Sequence, residues 1–146
     1  MKVLMASVEG AFCPEIEALL ASVEGITLMK KRLGPDAVYL IHELQPDLVL
    51  LDLDTVPSND SAFVARIGEL HPDSKLVVLS AKEAAVPVLD ALLNGAQGHL
   101  VKGASTREEI ISALHAVRRG ASILSPVLAG VILDEVSLRH QAVAES

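Results

Sequence analysis

With 146 residues the chain suits one domain of ordinary size, and at such a length folding hides roughly 68–70% of the surface an unfolded chain exposes. Hydrophobic residues make up 51% and charged residues 21%, with a mean hydropathy of +0.44, which excludes disorder as the dominant character. A formal charge of −7, from 12 Lys and Arg against 19 Asp and Glu, opposes attraction to phosphate backbones and anionic lipid, so direct nucleic-acid binding by this segment is not expected.

Lys2 is followed by the brief apolar run Val3-Leu4-Met5-Ala6, too short for the core of a secretory signal, so a cytoplasmic setting is expected. The run, closed by Ser7, predicts strand 1. Cys13 is the sole cysteine, which excludes an internal disulfide framework and a Cys-rich zinc site and leaves a packing role. Glu15 to Val23 places Ile16, Leu19, Leu20 and Val23 at helical spacing. Ile26 to Met29 predicts strand 2, bounded by Gly25 and by Gly34-Pro35, and Asp36 to Leu44 returns to helical spacing through Val38, Leu40, Ile41 and Leu44. Leu48-Val49-Leu50-Leu51, introduced by Pro46-Asp47 and stopped by Asp52, has the unbroken apolar pattern of a parallel strand covered on both faces.

Asn59-Asp60-Ser61 predicts the cap of a helix carrying Phe63, Val64, Ile67 and Leu70. Lys75 to Leu79 predicts strand 4. Ser80 and Glu83 match a capping box, placing a helix start there, with Pro87 tolerated in the first turn and Asn94-Gly95 as the stop. Gly98 to Val101 predicts strand 5. Ser105 and Glu108 match a second capping box for a helix with Ile110, Ile111, Leu114 and Val117 inward, ended by Arg118-Arg119-Gly120. Ser125-Pro126 then opens a last helix that is apolar on most sides through Val127, Leu128, Val131, Ile132, Leu133, Val136 and Leu138, with His140 to Ser146 expected to fray.

Strands alternating with helices imply an α/β, doubly wound, five-stranded parallel sheet, for which the flavodoxin-like order 2-1-3-4-5 is expected. Residues 1–124 form the predicted domain, and residues 125–146 an additional C-terminal helix that packs on the domain, pairs with a second copy, or leads to an output domain. No apolar run approaches the roughly 20 residues of a membrane span, so no membrane partner is expected. Aromatic residues amount to 2% (Phe12, Phe63 and Tyr39), which leaves little to stack on a flavin, nucleobase or sugar.

Ligands of such sheets bind beyond the carboxyl ends of the strands. Ser7-Val8-Glu9, Asp52, Asp54, Ser80 and Lys102 all fall there. A carboxylate, a hydroxyl and an ammonium at one edge suit a phosphoryl group: the carboxylate accepts it, and the others supply a hydrogen bond and a countercharge. Three blocks in order, Pro46-Asp47-Leu48-Val49-Leu50-Leu51-Asp52-Leu53, Val77-Val78-Leu79-Ser80-Ala81 and Gly95-Ala96-Gln97-Gly98-His99-Leu100-Val101-Lys102, resemble the CheY-like receiver domain of two-component response regulators. The wording is most similar to receivers that precede a LuxR-type helix-turn-helix.

The resemblance implies Asp52 as phosphoacceptor, Ser80 and Lys102 as the groups that sense the phosphoryl group, and His99 at the switch position usually held by Tyr or Phe. It also implies that Asp54 offers a backbone carbonyl to a metal. Family receivers carry two acidic Mg²⁺ ligands at the end of strand 1, where this chain has Ser7 and Val8. Magnesium requires near-octahedral oxygen ligation. Glu9 and the Asp54 side chain are displaced substitutes, so weak or absent Mg²⁺ binding and slow or absent phosphorylation are expected.

Simpler roles stand beside these. Ser80 is explained by its capping box, Lys102 by a permanent salt bridge to Asp52, Glu9 by solvation, and His99 by a surface or half-buried place. The expected function is a non-enzymatic receiver that switches protein contacts after phosphorylation by a histidine kinase or another donor, with transcription as output and a homodimer as partner. The alternative is a pseudo-receiver acting as a constitutive dimerisation or docking module. A hydrolase or small-molecule binder finds no glycine-rich phosphate loop after strand 1, and Ser80 has no evident histidine base.

Overall fold

In the computed structural model, the described residues are 1–56, 63, 65–67, 73–81, 85–103, 105–123 and 126–145, without the side chains of 85, 86, 126–128, 131, 132, 144 and 145. The elements are β1 (Lys2–Ser7), α1 (Pro14–Ala21), β2 (Thr27–Arg32), α2 (Ala37–Leu44), β3 (Leu48–Asp52), a 3-10 turn (Leu53–Thr55), β4 (Lys75–Ser80), α3 (Ala85–Leu93), β5 (Gly98–Val101), α4 (Arg107–Arg118) and α5 (Pro126–Glu145). All four strand pairings are parallel, in the order β2-β1-β3-β4-β5.

The alternation of side chains along each strand divides the core in two. Leu4, Ala6, Val49, Leu51, Leu76 and Val78 face α2, α3 and the helical backbone around Phe63 and Ile67. Val3, Met5, Leu48, Leu50, Val77, Leu79 and Leu100 face α1 through Ile16 and Leu20, and α4 through Ile110, Leu114 and Val117. Every residue from Leu48 to Leu51 is at most 1% exposed, the two-sided burial that its unbroken apolar run implies. Burying a Leu or Val side chain fully contributes about 1.5–3 kcal/mol, so β3 anchors both layers of the core.

Several boundaries differ from the sequence expectation. β2 runs on to Arg32 because β1 offers it a full ladder, while Lys30, Lys31 and Arg32 stay exposed on an edge strand, where charge deters further pairing. α1 ends at Ala21, short of Val23, with the Ser22 hydroxyl donating to the Leu19 carbonyl at 2.7 Å. The helix expected to fray from His140 continues to Glu145, with Arg139 binding Asp90 of α3 at 3.0 Å. Leu133 and Leu138 on it are 65% and 60% exposed. The expected cap at residues 59–61, Val64, Leu70, Glu83 and Ser125 lie outside the described residues, as do the side chains of Val127, Leu128, Val131 and Ile132. No helix among the described residues is long and apolar enough to cross a membrane.

The outer edge of β5 is covered by Ile123, which bridges to Gly98 and accepts the His99 N–H at 3.0 Å. A Cβ at Gly98 would meet the Ile123 carbonyl at 3.2 Å, so this close approach favours glycine.

α4 is capped one residue later than expected. Thr106, not Ser105, has the extended backbone of an N-cap (φ −73, ψ 165), and its hydroxyl accepts the Glu109 N–H at 3.2 Å. Thr106→Ala is therefore expected to destabilise the fold by about 1 kcal/mol in urea denaturation, and Ser105→Ala by only a few tenths. Equal effects of the two substitutions would put the cap back at Ser105.

Candidate functional site

The carboxyl ends of β1, β3, β4 and β5 converge on one edge of the sheet, and each brings a polar residue out of an apolar strand. Asp52 closes β3 and is 7% exposed. A carboxylate that buried needs compensation. The Lys102 Nζ supplies it, lying 2.9 Å from each of the two carboxylate oxygens, and the Asp54 N–H donates to Oδ1 at 3.1 Å. Lys102 reaches this place because its own N–H donates to the Ser80 carbonyl at 2.9 Å, aligning the end of β5 with that of β4.

Asp54 plays a larger part than its implied backbone role. Its Oδ2 lies 2.9 Å from the Lys102 Nζ and accepts the Ala81 N–H at 3.1 Å, so one ammonium bridges two carboxylates and the triad ties together the ends of β3, β4 and β5. Burial alone lowers the Lys102 pKa, but hydrogen bonds to Asp54 and Asp52, and their charges, together raise it above the ordinary lysine value. Thr55 was not singled out from sequence, since nothing but its place after Asp52 marks it. Its hydroxyl donates to the Asp52 carbonyl at 2.7 Å and accepts the Val8 N–H at 3.0 Å, fastening β1 to β3.

Ser80 and His99 form a second group. Both are buried, at 0% and 2% exposure, and the Ser80 Oγ lies 2.6 Å from the His99 Nε2. This corrects two expectations. His99 is an interior residue because its register partner is Val78, on the face covered by α3, and Ser80 does have a histidine beside it. Ser80 ends β4, and its hydroxyl is engaged with His99 and with the Ala81 carbonyl at 3.3 Å, while Glu83, its partner in the expected capping box, lies outside the described residues. Among the described residues no hydrogen bond joins the Ser80 hydroxyl to Asp52 or Lys102. The His99 Nδ1 is buried with no hydrogen-bond partner among the described residues. Burial of the ring lowers its pKa to about 4, against a partial upward pull from the Asp54 charge, so His99 is neutral at pH 7.

The end of β1 does not fit a magnesium ion. Val8 has no ligand atom in its side chain, and the Ser7 hydroxyl accepts the Gly10 N–H at 3.0 Å. Glu9 is exposed, and both nearby carboxylates, Asp52 and Asp54, are held by Lys102. Among the described residues no group of three His, Cys, Asp or Glu side chains is placed to hold a metal.

No family model matches the chain. It is 31% identical over 104 residues to the oxygen regulatory protein NreC of Staphylococcus carnosus, covering 70% of this chain and 47% of that protein. It is 34% identical over 112 residues to the probable transcriptional regulatory protein NarL of Mycobacterium tuberculosis, covering 76% and 51%. The chain thus spans about half the length of the curated relatives it matches. Among solved structures, the signal receiver domain of the putative response regulator NarL from M. tuberculosis superposes with a TM-score of 0.67 at 25% identity, over 82% of this chain and 96% of that one. A LuxR-family two-component response regulator from Aurantimonas sp. gives a TM-score of 0.75 at 20% identity, over 93% and 97%, which speaks for the fold alone.

Proposed function

Because the chain belongs to the CheY-like receiver family of two-component response regulators, in the subfamily associated with LuxR-type regulators, we propose that it accepts a phosphoryl group on Asp52 and answers by changing a protein-contact surface. The observation that carries this is the Asp52 carboxylate at the end of β3, nearly enclosed yet met by the Lys102 ammonium on both oxygens. In the transfer, a carboxylate oxygen of Asp52 forms a bond to phosphorus. The bond from phosphorus to the donor's leaving atom breaks, and its electron pair departs with the donor. Lys102 stabilises the equatorial oxygens, and no step is assigned to a metal.

The response runs through Ser80 and His99. Movement of the Ser80 hydroxyl toward a phosphoryl oxygen breaks its bond to His99, which stands opposite Val78 on the sheet face that α3 helps to cover. A neutral buried imidazole with both ring nitrogens unpartnered is costly, so the ring and α3 shift together, and α5 follows through Asp90 and Arg139. A histidine kinase or a small acyl phosphate is the donor, transcription the output, a second copy of the chain the partner, and the cytoplasm the setting. The relatives' names as transcriptional regulators support the output, and the charge of −7 keeps DNA contact outside this segment.

Incubation with acetyl phosphate is expected to add one phosphoryl group, read by intact-protein mass spectrometry, and Asp52→Asn to abolish it. Equal labelling of Asp52→Asn, or no labelling of the wild-type chain, would remove Asp52 from this role.

A further inference from the structure

Among the described residues the pocket offers no cluster of ligands for a divalent cation, but an arginine stands two strands from Asp52. Ser7 pairs with Arg32 across β1 and β2, and Ala6 pairs with Leu51 across β1 and β3, so Arg32, Ser7 and Asp52 stand in one row across the sheet. They also share a face, two residues beyond Lys30, Met5 and Leu50, of which the last two belong to the core under α1 and α4. Neighbouring strands lie about 4.8 Å apart, which puts the backbones of Arg32 and Asp52 about 10 Å apart with only a serine between them. That gap suits a long guanidinium arm from one side and a phosphorylated carboxylate from the other.

The Arg32 Nε donates to the Val8 carbonyl at 3.1 Å, which anchors the guanidinium at the end of β1 and leaves its terminal nitrogens for an anion. Gly10, at φ +82, makes room: a Cβ there would sit 3.4 Å from the Arg32 Cδ. Among the described residues no carboxylate pairs with Arg32. Asp52, Asp54 and Lys102 leave one net negative charge, which opposes an incoming oxyanion, and Arg32 cancels it. Arg is suited to the task, since its fork matches two oxygens of a phosphoryl group.

We propose that Arg32 and Lys102 together take the place of the divalent cation, so that this receiver binds a phosphoryl group on fixed side-chain charges. The inference rests on Asp52 being the acceptor, and the test separates the two. Beryllofluoride is titrated into the wild-type chain, Arg32→Ala and Arg32→Lys, in chelator-resin-treated buffer and again with millimolar Mg²⁺, and amide shifts around Asp52 are followed. Wild-type affinity is expected to agree within about threefold between the two buffers, Arg32→Ala to lose tenfold or more without metal, and Arg32→Lys to fall between them. Arg32 is exposed, and thermal melts confirm that each variant is folded. Binding only with Mg²⁺, or metal-free binding unchanged in Arg32→Ala, overturns the role of Arg32 and leaves Asp52 as acceptor. No binding in either buffer overturns both.

Discussion

Acidification from pH 6.5 to 4 is expected to remove about 3 kcal/mol of folding stability through His99 alone. In the unfolded chain this imidazole takes its proton near pH 6.5, whereas the buried ring does not until about 4. The unfolded state therefore binds one proton more across that window, and stability rises with pH by about 1.4 kcal/mol per unit within it. The contribution is complete above pH 6.5 and is lost as pH falls toward 4. Urea denaturation of the wild-type chain and His99→Phe at pH 7, 5.5 and 4.5 checks it, because acid effects of the carboxylates are common to both and cancel. Parallel pH profiles would assign the acid sensitivity to other groups. The bond to Ser80 has its own signature: Ser80→Ala leaves a second ring nitrogen without a partner and is expected to cost about 1–3 kcal/mol, much of it recovered when His99→Phe is added.

Removing the ammonium at the sheet edge is the other large effect. Lys102→Ala leaves Asp52, with its side chain 10% exposed, and Asp54, 36% exposed, without their shared countercharge. The cost is expected near 2 kcal/mol, between the 0–1 of exposed ion pairs and the 3–5 of a fully buried pair broken on one side. Adding Asp52→Asn should restore most of it, since the amide carries no charge to strand. Because the lysine pKa is raised in the fold, the triad's stabilisation is complete below the unfolded lysine value and fades as pH climbs through the folded one. Urea denaturation at pH 7 and 11 reads both effects. A cost at pH 7 no larger than that of a surface pair, or no recovery in the double variant, would show that the triad does not hold the three strand ends.

These two groups also mark where inference from sequence alone reached its limit. β3 and both faces of the sheet were legible because Leu48 to Leu51 and the apolar stripes of α1 and α4 state their burial in their spacing. The meeting of Asp52 and Lys102 was legible too, since strand ends in this topology share an edge. The Ser80–His99 bond was not. Serine before a helix reads as a cap, and the histidine's inward face follows from its register opposite Val78, which only the paired sheet defines. The same holds for Asp54 and Thr55, whose directions depend on the tight turn after β3, and for the cap of α4, where Ser105 and Thr106 are equally good candidates until backbone angles choose between them.

By itself, the order of apolar runs and breakers determined five strands, the helices between them and the charged rim. Local hydrophobic periodicity records which face of each segment leaves water, and the crossover rule then leaves little choice of topology. Tertiary structure alone decided which polar atoms at the rim are partnered: the lysine shared by two aspartates, the serine held by a buried imidazole, and the arginine bound to the Val8 carbonyl at the end of β1. Such contacts join residues 19 to 50 positions apart in the chain. They depend on differences of an ångström in register and turn geometry, which no one-dimensional pattern encodes.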